Sequence, residues 1–281
     1  MSAIGRNEPY SQLLQGVVAG MYEIGISCTD IGRQLNMSHT TVLKYVRQHG
    51  IEVRPANSKR KVEIDDHFFD VIDTEEKAYW LGFITADGNV SGNRIGIGLQ
   101  ARDKEHLLKW LKTIGAHWGY CLVESMRGKS HQFSVKINSP QMVSALSVLG
   151  VFENKSHNVH PATVRCDLQR HYWRGVFDGD GFIRKQLNRS GKRYSFCAGL
   201  AGNAHIITAF AEFMRERTPH KMSIHKDTRS ITSCTTEFGG VSMMQRSMPV
   251  LYANANVFLD RKKAIYDELM ATPVLKKRRY A

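Results

Sequence analysis

An α+β fold in which one half-domain is laid down twice, after a small all-α unit, is the architecture this sequence predicts. Three observations carry it. Between residues 73 and 275 the order helix, two strands, helix, two strands, helix occurs twice, and a repeat of that kind is the most informative feature of the chain. Each copy opens with an apolar helix that stops at an acid followed by glycine, WLGFITADG over 80–88 and WRGVFDGDG over 173–181. Ahead of them, helical patterns without a strand signal fill residues 10 to 50. Two αββαββα half-domains related by a pseudo-twofold axis would each leave one sheet face uncovered. The expected division is 1–52 for the helical unit, 53–72 for a basic linker, 73–163 and 164–275 for the half-domains, and 276–281 for a basic tail.

In the first segment the helical stretches are SQLLQGVVAGMYEIG, CTDIGRQLN and SHTTVLKYVRQHG. The second carries Ile31 and Leu35 at helical spacing, the third carries Val42, Leu43 and Val46, and Ser38 stands where an N-cap belongs. This is the layout of a helix-turn-helix. The opposite face of its third helix offers His39, Thr40, Thr41, Lys44, Tyr45 and Arg47, side chains able to bond base edges and phosphates in a major groove. The competing reading is a protein-interaction module whose polar face is solvated. PANSKRK, in the linker, is expected along a phosphate backbone.

The first copy reads as helix EEKAYWLGFITADG, hairpin NVSGNRIGIGLQ, helix DKEHLLKWLKTIG, strands YCLVESM and QFSVKIN, and helix PQMVSALSVLG. The second reads as LQRHYWRGVFDGDG, a long hairpin GFIRKQLNRSGKRYSFCAGLAG, AHIITAFAEFMRER, strands KMSIHKD and SCTTEFGG, one helix around MQRSMPVLYAN and a last one, DRKKAIYDELM. Trp80, Trp110, Trp118 and Trp173 keep helical spacing and read as core, not as a base-stacking surface.

The 281 residues, 42% of them hydrophobic, suffice for a sizeable core plus a small appended unit. A net charge of +13, from 39 Lys and Arg against 26 Asp and Glu spread along the chain, points to a polyanion such as nucleic acid. No apolar run is long enough to span a membrane and no signal segment opens the chain, so a soluble, intracellular protein is expected, cytoplasmic or nucleoid-associated and not secreted. The five cysteines form no CxxC pair, which argues against zinc and against a disulfide framework. The twelve histidines form no HxxxH cluster.

Within the two motifs small residues recur four apart, Gly82 and Ala86 in one, Gly175 and Gly179 in the other. That spacing lets two helix backbones approach, so the motif helices should pack together as a parallel pair and bring Asp87 and Asp180 side by side. Two carboxylates among free helix C-terminal carbonyls make a site for a hard divalent cation. Gly88 and Gly181 stand at the C-terminal capping position, where a left-handed backbone is expected.

These paired motifs resemble those of single-chain LAGLIDADG homing endonucleases, and the repeat after each resembles that family's half-domain over about 75 to 270. The resemblance implies magnesium, with manganese substituting, bound by Asp87 and Asp180 with the carbonyls of Ala86 and Gly179 nearby. It implies a lysine late in each half that projects toward the scissile phosphates: Lys155 in LGVFENKSHNVHP, and Lys262 in NVFLDRKKAIYDEL beside Arg261 and Lys263. At the sixth motif position, often an acid in the family, the copies differ: Thr85 in the first, Asp178 in the second.

DNA reading should fall to the uncovered sheet faces: Asn93, Arg94, Gln100, Arg102, Arg127, Lys129 and Lys136 in the first half, Arg184, Lys185, Arg189, Lys192 and Arg193 in the second. The resemblance implies a monomeric, site-specific DNA endonuclease that makes a staggered double-strand cut in a long, poorly symmetric site and serves the homing of an intron or mobile gene. A non-catalytic regulator on the same scaffold and an intron RNA-splicing maturase stay open beside it. An intein is disfavoured, because no Cys or Ser begins the chain and no His-Asn pair ends it.

Overall fold

A computed structural model describes residues 8–24, 26–53, 64–116, 122–127, 130–153, 159–187, 194–219, 222–226 and 233–274. The chain divides into two units, Met1–Lys61 and Val62–Ala281. In the first, α1 (Glu8–Glu23), α2 (Cys28–Gln34) and α3 (His39–Gln48) enclose Val18, Tyr22, Ile31, Val42 and Val46. Ser27 and Ser38 each accept a main-chain N–H at 3.1 Å and start α2 and α3. Between those helices Asn36 takes a positive φ of 51°, which asparagine tolerates.

The second unit runs α4 (Glu75–Asp87), β1 (Gly88–Ser91), β2 (Arg94–Gln100), α5 (Lys104–Thr113), β3 (Val123–Arg127), β4 (Ser130–Asn138) and α6 (Pro140–Val148). It then repeats the order with α7 (Gln169–Asp180), β5 (Gly181–Leu187), β6 (Tyr194–Asn203), α8 (Ala204–Arg217), β7 (Ser223–Lys226), β8 (Ser233–Gly239) and α9 (Val241–Ser247), followed by α10 (Pro249–Tyr252) and α11 (Asp260–Ala271). Both sheets are antiparallel and share one topology, β1-β2-β4-β3 and β5-β6-β8-β7. Period-two alternation gives each a helix-covered face and an open one. Ile95, Ile97, Leu99, Val135 and Ile137 point to the core with Leu107 and Trp110 of α5; Ile183, Phe196, Ala198, Leu200 and Phe238 do so with Ile207, Phe210 and Met214 of α8. Trp80, Trp110 and Trp173 are core residues; Trp118 lies outside the described residues.

Two boundaries differ from expectation. The stretch expected as linker through residue 72 ends sooner, because Phe68 and Phe69 are buried against Trp110, with ring centroids 5.6 and 5.9 Å away. Asp66 also accepts a 2.5 Å bond from Ser139, the N-cap of α6. The helix expected around MQRSMPVLYAN is broken into α9 and α10 at Pro249, which has no N–H to continue the ladder.

Candidate active site and nucleic-acid interface

The small residues decide how α4 meets α7. A methyl group built on Gly82 would overlap the main-chain oxygen of Tyr172, and one on Gly175 would overlap that of Tyr79. The relation is reciprocal because Tyr79 and Tyr172 hold the same place in the two motifs. One turn on, Gly179 lies against the methyl of Ala86, so all four small residues sit in the seam. The helices end together on Asp87 and Asp180, both exposed. A Cβ on Gly179 would be 3.5 Å from the carboxyl carbon of Asp87, which sets the first-half acid against the last turn of the second-half helix.

Gly88 and Gly181 are not left-handed caps: φ is −75° and −87°, with the chain passing straight from helix into β1 and β5. Glycine is required there for room. A Cβ on Gly88 would be 2.6 Å from the main-chain oxygen of Ile84, and one on Gly181 would be 2.5 Å from that of Phe177.

Lys262 is fully buried, and its side chain is turned onto the end of α7. Its Nζ donates to the main-chain oxygens of Phe177 (2.6 Å), Asp178 (2.8 Å) and Gly181 (2.5 Å), using its three donors on the end of α7. The negative end of a helix is a natural place for such a cation. Burial lowers its pKa to about 8, against the pull of Asp178, Asp87 and Asp180, so one ammonium lies within the field of both exposed acids. Its neighbours are engaged elsewhere: Arg261 with Asp103 at 3.0 and 2.9 Å, Lys263 with Asp267. Lys155 lies outside the described residues.

Behind Lys262 is a buried polar network that sequence reasoning did not assemble. Asp178 accepts from Tyr79 Oη (2.8 Å), Tyr252 Oη (2.5 Å) and the N–H of Leu259 (2.8 Å). Burial pushes its carboxyl up, countered first by the charge of Lys262. Tyr79 Oη also meets His106 Nε2 at 2.9 Å. Arg174 donates to Val257 O (2.8 Å), Leu251 O (3.0 Å) and Glu75 Oε1 (2.6 Å), tying the two motif helices together. In the first copy Thr85 replaces Asp178 and spends its hydroxyl on Leu81 O at 2.8 Å. The signal was present in the sequence as Arg174 and Asp178, two charges on a helix face that packing must cover.

The donors at the seam are carboxylate and carbonyl oxygens, the chemistry magnesium or manganese prefers. Among the described residues no group of three or more His, Cys, Asp or Glu is placed to hold a metal, so the seam offers two carboxylates and main-chain oxygens alone.

On the first open face lie Arg94, Gln100 and Lys136, in register with Asn138, Gln132 and Gly96. Asn89, Ser91, Asn93 and Asn138 border the same polar concavity, and the sequence had flagged only Asn93 of these. Arg102 is exposed in the single turn Ala101–Asp103, off the strands. Arg184 stands on the second open face with its guanidinium 4.0 Å from the Phe182 ring centroid. Lys185 does not join it. Adjacent strand residues point to opposite faces, so Lys185 turns to the helix side, where it pairs with Glu268 of α11 and lies 3.9 Å from the ring centroid of Tyr194. The Arg127 side chain and Lys129, Arg189, Lys192 and Arg193 lie outside the described residues. In the first unit His39, Thr40, Lys44 and Arg47 are exposed, whereas Thr41 and Tyr45 are half-buried. The hydroxyls of Thr40 and Thr41 are bonded to Ser38 Oγ at 2.8 and 2.7 Å, and Tyr45 packs on the small core.

No family model matches the sequence, and a search of curated proteins finds no match. Among solved structures the chain is similar to the meganuclease I-SmaMI bound to uncleavable DNA, at 12% identity and a TM-score of 0.48 over 68% of this chain and 87% of that one. It is similar also to the I-LtrWI LAGLIDADG homing endonuclease bound to target DNA, at 10% identity and a TM-score of 0.46 over 70% and 89%. A third is the LAGLIDADG homing endonuclease I-GzeII in complex with its DNA target, at 9% identity and a TM-score of 0.45 over 68% and 88%.

Proposed function

We propose that this protein is a LAGLIDADG-type DNA endonuclease, a monomeric phosphodiester hydrolase that makes a metal-dependent, staggered double-strand cut in a long, poorly symmetric site and so promotes the mobility of an intron or mobile gene. The observation that carries this reading is the meeting of Asp87 and Asp180 at the ends of two helices packed so closely that Gly82 and Gly175 have no room for a side chain. Asp87 and Asp180, with the carbonyls of Ala86 and Gly179, would hold magnesium, which supplies an activated water and neutralises charge developing on the phosphate. The chain's own residues do the rest. Lys262 offsets the repulsion between two carboxylates at helix C-termini. Arg94, Gln100, Lys136 and Arg184 hold the duplex through the open sheet faces, and His39, Lys44 and Arg47 on α3 add a second grip. The proposed setting is intracellular; among the described residues no helix is long and apolar enough to cross a membrane.

The deciding experiment is incubation with DNA carrying the uninterrupted insertion locus in magnesium. Wild type cuts both strands, and Asp87→Asn and Asp180→Asn do not. Variants that cut as well as wild type defeat the proposed site, and a wild type that binds but never cuts establishes a regulator.

A further inference from the structure

We infer that Glu237 is a specificity residue that reads cytosine through its exocyclic amino group; this deepens the DNA-cleaving reading above and rests on it. Register places Glu237 on the second open face: it pairs with Gly199 on β6 and with Ser223 on β7, and Gly199 pairs with Phe182 on β5. The row across the sheet is therefore Phe182, Gly199, Glu237, Ser223, and Glu237 is exposed. Among the described residues it is the one acidic side chain on either open face, in the company of Arg94, Lys136 and Arg184.

A carboxylate on a surface that meets a polyanion repels every phosphate near it. That cost is recovered only where the acid finds a donor on the DNA, and in the major groove the donors are the amino groups of cytosine N4 and adenine N6. Adenine sets its N7 acceptor beside the amino group, so a carboxylate over it would face one donor and one acceptor; cytosine presents a C–H in that place. The surroundings of Glu237 suit a pyrimidine edge. Gly199 leaves the neighbouring strand bare, and a Cβ there would lie 2.7 Å from Phe182 Cζ, so the ring covers the vacancy. Arg184 stacks on that ring, and Cys197 lies on the same face of β6, two residues before Gly199 and paired with Gly239 of β8. The acid thus stands beside the edge of an aromatic ring, and the amino group it faces is what distinguishes the base.

The test is selection from a random-sequence duplex pool, in EDTA so that nothing is cut, by the full chain as wild type, Glu237→Gln and Glu237→Ala. Wild type should enrich cytosine about tenfold at one position of its site. Glu237→Gln should move that preference to adenine, since a carboxamide pairs with N6 and N7 together. Glu237→Ala should lose the preference there and keep the rest. Identical base preferences in all three proteins overturn the assignment, including the case in which Glu237→Ala binds every sequence more tightly. A wild type that retains no duplex at all overturns the DNA-binding reading itself. The position is exposed, and matching melting temperatures separate recognition from folding.

Discussion

The carboxylate of Asp178 accepts the main-chain N–H of Leu259 at 2.8 Å, while the ammonium of Lys262, a turn further on, donates to the main-chain oxygen of Asp178 at 2.8 Å. α7 thus caps the start of α11 and α11 caps the end of α7. A charge-bearing residue on each helix satisfies main-chain groups of the other that would otherwise be buried without partners. The acid Asp180 stands at the end of this doubly capped helix, so its placement depends on both.

Lys262→Met should destabilise the second unit by about 3 to 5 kcal/mol, because it strands three carbonyls and leaves Asp178 buried without its countercharge. Lys262→Arg should restore little: a planar guanidinium cannot converge on three oxygens as an ammonium does. Urea denaturation followed by tryptophan fluorescence measures both, and a Lys262→Arg protein as stable as wild type would refute the geometry.

Gly175→Ala should cost about 3 kcal/mol or more, since the added methyl meets the main-chain oxygen of Tyr79, which cannot swing aside. Ala86→Gly, at the same seam, should cost only about 1 kcal/mol, the ordinary helix penalty. Comparable losses in the two variants would mean that the helices can separate freely.

Arg184→Ala should weaken DNA binding and lower the slope of log K against log salt by about 1 if the guanidinium neutralises a phosphate. Lys185→Ala, whose side chain faces α11, should leave affinity and slope unchanged. Titrations across a salt series distinguish the two, and an equal effect from Lys185→Ala would place that side chain on the DNA.

Acid should loosen the second unit in two stages. Burial, then the charges of Lys109, Lys262 and Arg261, hold His106 down to about 3, whereas an unfolded histidine takes its proton near 6.5. Between those values the unfolded chain binds the extra proton, so stability falls as pH drops through the interval. Glu75 is kept at about 2 although burial alone would raise it, through the His171 ring 3.6 Å away, hydrogen bonds from Asn256 and the charge of Arg174. Its contribution is complete above its ordinary value of 4.5 and is lost as pH falls toward 2. His106→Phe should flatten the first stage and spare the second; urea midpoints between pH 3 and 7 that keep the wild-type slope would count against this.

How much of this was legible in the sequence follows from which contacts are local. The repeat, the seam glycines and the two terminal acids were readable, because 3.6-residue and two-residue periods and a matched pair of motifs are written along the chain. Lys262 was singled out, but its direction was not, since the carbonyls it caps belong to α7, distant in sequence. Lys185 reads along the hairpin as one of a run of positive charges, and only the alternation of β5 separates it from Arg184. Gly88 and Gly181 were seen as helix ends for a backbone angle, when their need is space beside Ile84 and Phe177. Phe68 and Phe69 looked like linker because their partner Trp110 lies far along the chain.

The bridge from Arg174 to Glu75 makes each half choose the other over itself. Leu168 and Leu81 hold the corresponding places in the opposite motifs, so two second halves pressed together would set a buried guanidinium against leucine, and two first halves would do the same with a carboxylate. Mispairing is penalised by stranded charge, and correct pairing is rewarded by a neutralised one. A chain split between the halves would therefore reassemble as a heterodimer whose two parts cannot trade places.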